Sequence, residues 1–166
     1  MTKGVDFKNY LDRFETVALP FTIDESNYSI LNERNEPLPD IVASMFMTRL
    51  GEDEDVAEYV PFFRLDDHED VLVLVLWRAG LLRYDYLICT YDKNGGIIDQ
   101  SIIASSFYTS ESTTKSIARF EEDGLIYSIS ATTDNDNPNN FDTSMSKSSI
   151  FEVLPNGQIQ QTKNNV

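Results

Sequence analysis

The residues best placed to do chemistry in this chain are nine carboxylates flanking one predicted strand. Glu52, Asp53, Glu54, Asp55 and Glu58 come before it, and Asp66, Asp67, Glu69 and Asp70 after it. With His68 inside the second group, these are the donor types that hold a divalent cation. Neighbouring residues of one turn point in different directions, however, and the ligand spacing of known metal loops is missing. The other chemistry is electrostatic, because fixed negative charge attracts cationic groups and steers a basic partner onto itself. A straight strand of this length separates its ends by about 20 Å, so one shared acidic surface would need the chain to fold back. We expect Glu52, Asp53, Glu54, Asp55, Asp66, Asp67, Glu69 and Asp70 to be partner contacts, with no metal and no cofactor. The default for such clusters is a solvated loop.

Other groupings are weaker. Asp134, Asp136, Asn137, Asn139, Asn140 and Asp142 offer oxygens that suit calcium, yet Pro138 occupies a ligand step and the required Gly and terminal Glu are absent. Serines are plentiful, but His68 is the one histidine base, and no flanking glycines shape a nucleophile elbow. A carboxylate-pair glycosidase is recognised by a separation in space, and nothing in the sequence nominates a pair. Trp77, Tyr84, Tyr86, Phe107, Tyr108 and Tyr127 could form a stacking platform for sugars, although aromatics in strands are usually packing residues. Cys89 lies in a strand-like run where a small thiol is core filler, and one cysteine excludes an intrachain disulfide. No catalytic residue is identified, and the chain reads as non-enzymatic.

The elements that must position these groups are mostly strands. Asn94-Gly95, Asp123-Gly124 and Asn156-Gly157 separate runs rich in Ile, Phe, Tyr, Leu and Val, the pattern of successive β-hairpins. Candidate strands are Tyr59 to Leu65, Val71 to Arg78, Tyr84 to Tyr91, Ile97 to Ala104, Ser116 to Glu121, Leu125 to Ala131, Lys147 to Val153 and Gln158 to Thr162. Val71 to Trp77 is apolar throughout, as in a strand covered on both faces. Leu125, Tyr127, Ile129 and Ala131 alternate with more polar neighbours, as in a strand with one face in water. Helices on one side of the sheet and solvent on the other would account for both. The polar stretch from Thr132 to Ser146 reads as a mobile surface loop.

Ahead of the strands, Phe7, Tyr10, Leu11, Phe14, Val17 and Ala18 recur at helical spacing, so a helix is expected from Val5 to about Leu19, stopped by Pro20. A second helix is expected from Pro39 to Leu50, with Asp40 favouring its dipole and Gly51 as its cap. No strand is placed between Phe21 and Leu38. The fold class is α+β: one domain over 1–166, with a helical part (5–50) packed on a large antiparallel β-meander (59–162). The sheet is an open twisted one, a barrel or a sandwich.

The chain has 166 residues, and a chain of that size buries roughly 70% of the surface its unfolded form exposes. Ten Phe and eight Tyr in a 41% hydrophobic composition argue for order rather than an acidic disordered chain. Thirteen Lys and Arg stand against 28 Asp and Glu, a net charge of -15 with a pI near 4.2. Nucleic-acid backbones and anionic lipids are repelled, while a basic protein is attracted over a Debye length of about 8 Å. The seven-residue run Val71 to Trp77 is far below the ~20 of a membrane-spanning helix, so no membrane insertion is expected. No secretion signal is visible, and the expected location is cytoplasmic, or the envelope if a leader has been removed.

Two blocks carry a resemblance. Phe7 to Phe21 is an aromatic helix running into Leu19-Pro20-Phe21, and Tyr86 to Ile103 sets Tyr91-Asp92-Lys93-Asn94-Gly95-Gly96-Ile97-Ile98-Asp99 in a hairpin. They resemble small β-rich proteins of unknown function from Bacteroidetes bacteria. The resemblance implies a β-rich fold and no reaction, cofactor or catalytic residue; many relatives of that kind carry lipoprotein leaders, and none is expected here. Together these observations lead to an acidic protein-binding domain, most concretely an immunity-type inhibitor that docks a basic protein such as a toxin. The alternative is a small-ligand or carbohydrate-binding module of the cell envelope.

Overall fold

Each of the three expected turns places its glycine in the left-handed region, Gly95 at φ 87°, Gly124 at 86° and Gly157 at 89°. Each glycine N–H donates to the carbonyl three residues back, at 3.1, 3.2 and 2.8 Å in turn, and no other type of residue has a positive φ among the described residues. The connections are therefore type I turns closed by a left-handed glycine, which glycine adopts without a Cβ penalty. The computed structural model describes residues 3–24, 26, 35–47, 57–66, 68–137, 139 and 141–164.

In chain order the elements are α1 (Lys3–Leu11), β1 (Glu15–Thr16), β2 (Phe21–Ile23), α2 (Asp40–Phe46), β3 (Glu58–Leu65), β4 (Leu72–Ala79) and β5 (Arg83–Tyr91). They continue as β6 (Ile97–Tyr108), β7 (Ser112–Phe120), β8 (Leu125–Asp134), β9 (Phe141–Val153) and β10 (Ile159–Asn164). Strands β3 to β10 pair antiparallel in sequence order, β1 adds in parallel to β3, and β2 pairs with β7, giving one open ten-stranded sheet. The expected α+β class and meander are what the structure shows.

The sheet folds over on itself. Ladder pairing between β6 and β7 covers only Phe107↔Thr114 and Tyr108↔Thr113, after which the strands part and β2 takes the place beside β7. The two halves then face each other across one apolar core. Val73, Val75 and Trp77 of β4 and Ile88 of β5 meet Phe120, Ile126, Phe151 and Val153 from β7, β8 and β9. On its other face β4 sends Leu74 and Leu76, with Leu87, Cys89 and Tyr91 of β5, against Phe7, Tyr10 and Phe14 and against Phe46 of α2. Solvent therefore does not cover the face opposite the helices; the second half of the sheet does. The apolar run of β4 follows, since both of its faces are in a core.

Three further expectations are corrected. The first helix ends at Leu11, not near Leu19: Phe14 stays in the core through a turn, and the β-branched Thr16 lies in a strand pairing with Arg64 of β3. The second helix ends at Phe46, where Met47 becomes extended and the Tyr91 hydroxyl donates to the Phe46 carbonyl at 2.7 Å, serving a helix-end acceptor. Leu50 and Gly51 lie outside the described residues. The stretch from Thr132 to Ser146 is mostly strand rather than loop, because β8 runs to Asp134 and β9 starts at Phe141.

The inward face of β8 is also the reverse of the expected one. Tyr127 and Ile129 are 37% and 53% exposed, while Ile126, Ser128 and Thr132 are buried. Register decides this, because Phe120↔Ile126 fixes which alternate set of β8 faces the core.

Candidate functional site

A meander returns every second turn to the same end of the sheet, and three of the four turns at this end carry acids, the β9–β10 turn carrying none. Strand β3 delivers Asp66, Glu69 and Asp70, the β5–β6 turn Asp92, and the β7–β8 turn Glu121, Glu122 and Asp123. Lys93 Nζ lies 3.3 Å from an Asp70 oxygen, which ties the first two turns together. Leu65, His68, Glu121, Gly124 and Leu125 share a hollow of about 10 Å³, which ties the first to the third. The hollow holds one water at most.

Within this end the carboxylates have different tasks. Asp92 accepts the N–H groups of Asn94 and Gly96 at 2.8 and 2.9 Å, and Asp123 accepts that of Leu125 at 3.0 Å, so both build their own turns. Glu121 pairs with Arg119, and Asp66 lies 3.5 Å from Arg64. Glu69, Asp70 and Glu122 are exposed. The arrangement presents carboxylates to solvent and can attract cationic groups; among the described residues no three His, Cys, Asp or Glu side chains converge on a metal position.

Of the contacts expected from sequence, Asp66, Glu69 and Asp70 sit on this surface. Glu52, Asp53, Glu54, Asp55 and Asp67 lie outside the described residues. Strand β3 does not fold back: Glu58 stands at its far end, about 23 Å from Leu65 by strand rise. Asp92, Glu121, Glu122 and Asp123 were not nominated from sequence. Their signal was the turn spacing, since alternate turns of a meander must share an end.

A buried charge, unmarked in the local sequence, lies in β5. Asp85 is 0% exposed inside β5, and its carboxylate lies 2.9 Å from both Arg78 Nη2 and Arg83 Nε, with the Ser105 hydroxyl donating at 2.5 Å. This network joins β4, β5 and β6 and serves packing rather than chemistry. The aromatics do not form one platform. Trp77 and Tyr86 are buried, Trp77 stacks on Tyr84 at 5.6 Å, Arg83 covers Phe107, and Tyr127 faces out from β8. Cys89 is buried, and desolvation pushes its thiol up to about 12.

Comparison of the chain with protein-family models, with curated proteins and with solved structures finds no match. Among the described residues no helix is long and apolar enough to cross a membrane.

Proposed function

We propose that this protein is a non-enzymatic binding domain whose acidic turn end docks a basic protein, in the manner of an immunity-type inhibitor covering a toxin. One observation carries the reading. Turns far apart in sequence are gathered by the meander onto one end, where Asp66, Glu69, Asp70, Glu122 and Asp123 stand at the ends of paired strands. Charge held on paired strands needs little ordering on encounter, so its field acts mainly on the association rate. Glu52, Asp53, Glu54 and Asp55 join the reading from sequence alone. Partner capture at low ionic strength, followed by association kinetics across a salt series, tests it. Association should slow steeply with salt, and a variant carrying Asp66→Asn, Glu69→Gln, Asp70→Asn and Glu122→Gln should lose most of that dependence. An unchanged rate in the variant would remove the basis for the proposal.

A further inference from the structure

The parting of β6 from β7 opens a cleft of about 360 Å³, lined by Asp24, Ser26, Ser106, Tyr108, Lys115, Ser116 and Ile117. That volume is at the lower end of small-molecule sites. Its origin is topological: the β6 ladder stops at Phe107↔Thr114 and the β2 ladder begins at Ile23↔Ala118, so the stretch of β7 centred on Ser116 borders a gap. There the Ser116 N–H donates to the Ser106 hydroxyl at 3.3 Å, a side chain standing where a neighbouring strand would be.

The interior beside this gap changes character along one register. From the acidic end the inward pairs of β7 and β8 read Phe120↔Ile126, Ala118↔Ser128, Ser116↔Ser130 and Thr114↔Thr132. Ser106, Thr114, Ser116, Ser128 and Thr132 are all buried, and the Thr114 and Thr132 hydroxyls bond at 2.7 Å. Meanwhile the larger apolar side chains Ile117, Tyr127 and Ile129 face outward, where they are half-exposed. A sheet that needed only a core would place them the other way round, because buried hydroxyls contribute little hydrophobic stabilisation and must each find a partner. Local inversions of this kind are expected where a site overrides packing.

We infer that this cleft binds a neutral polyhydroxylated ligand of one or two sugar rings. Tyr108, partly buried and held edge-on by Tyr84 at 6.3 Å, provides the flat apolar wall against which the C–H face of a sugar packs. Ser106 and Ser116 provide short hydroxyls, and Asp24, one of whose oxygens accepts the Ser26 N–H and hydroxyl, provides a carboxylate; these groups exchange hydrogen bonds with sugar hydroxyls. The net charge of -15 disfavours an anionic ligand despite Lys115. This site lies on the part of β7 away from the acidic turns and does not depend on their role.

Backbone-amide NMR of the labelled protein titrated with glucose, galactose, cellobiose and maltose tests the assignment, with sodium glucuronate and sodium phosphate as anionic arms. A neutral sugar should move resonances of Ser106, Tyr108 and Lys115 to Ile117 in a saturable way. Tyr108→Leu and Ser116→Val should each weaken that binding about tenfold. No saturable change with any neutral sugar, changes centred elsewhere, or a response to the anions alone would each overturn the inference. If a variant fails to fold, the shift map of the unmodified protein decides the matter.

Discussion

The Asp99 carboxylate accepts the main-chain N–H of Ile159 at 2.8 Å, joining β6 to β10, the last strand of the sheet. The other Asp99 oxygen accepts the Gln100 N–H at 2.8 Å. Beside it the Thr90 hydroxyl donates to the Gly157 carbonyl at 2.5 Å and accepts the Asp99 N–H at 3.1 Å. The β9–β10 turn and the start of β10, which share no ladder with β5 or β6, are thus fastened to them by side chains. Asp99→Ala should cost about 1–3 kcal/mol in chemical denaturation, the range for leaving a partly buried donor unserved. An unchanged midpoint and slope would show that the fastening is dispensable.

The three turn glycines should rank in their sensitivity. At Gly124 an added Cβ meets nothing within 4 Å, so Gly124→Ala should cost only the left-handed penalty, about 1–2 kcal/mol. At Gly95 the Cβ would lie 2.7 Å from Phe7, and at Gly157 2.6 Å from Ile98. Both alanine variants should therefore be less stable than Gly124→Ala by thermal melting; equal losses at all three would refute the close packing of these turns.

Asp85 is matched by two arginines of unequal burial. Asp85→Ala removes the buried carboxylate beside Arg78, which is 9% exposed, and should cost about 3–5 kcal/mol, as removal of one partner from a buried ion pair does. Arg83→Ala removes a side chain that is 48% exposed and should cost about 1 kcal/mol or less. Urea unfolding of the two variants measures the contrast, and the reverse order would contradict it.

Burial raises the Cys89 thiol to about 12 from an ordinary value of 9.0, and the Tyr10 and Tyr91 hydroxyls well above 10.0. In the unfolded chain these groups release protons first, so the native state binds more protons at alkaline pH. Their contribution to stability is complete below about pH 9 and falls as pH rises through the window from 9 to 12. Melting temperatures across that window should drop, and Cys89→Ala should make the drop shallower. Thiol reagents should label Cys89 at neutral pH only on unfolding; rapid labelling of the native protein would disprove its burial.

Most of the strand pattern was legible in the residues themselves. Glycine after Asn or Asp marks a turn by its conformational freedom, and the continuous apolar run of β4 announces a strand with two covered faces. The aromatic stripe of Phe7, Tyr10 and Phe14 was legible as a packing face, but the helix end was not, since a two-residue pairing with β3 outweighed local periodicity. Asp66, Glu69 and Asp70 were readable as an exposed cluster. Their company with Glu122 and Asp123 was not, because spatial neighbours across a sheet carry no mark in local sequence.

What the chain determined by itself was its local grammar: strands, turns, an acidic surface and a helical start, all set by side-chain period and backbone freedom over a few residues. Which face of β8 looks inward, where β6 leaves β7, and which turns share an end were decided only in three dimensions. A one-residue change of register exchanges the two faces of a strand, and only the packing of one half of the sheet on the other selects between them.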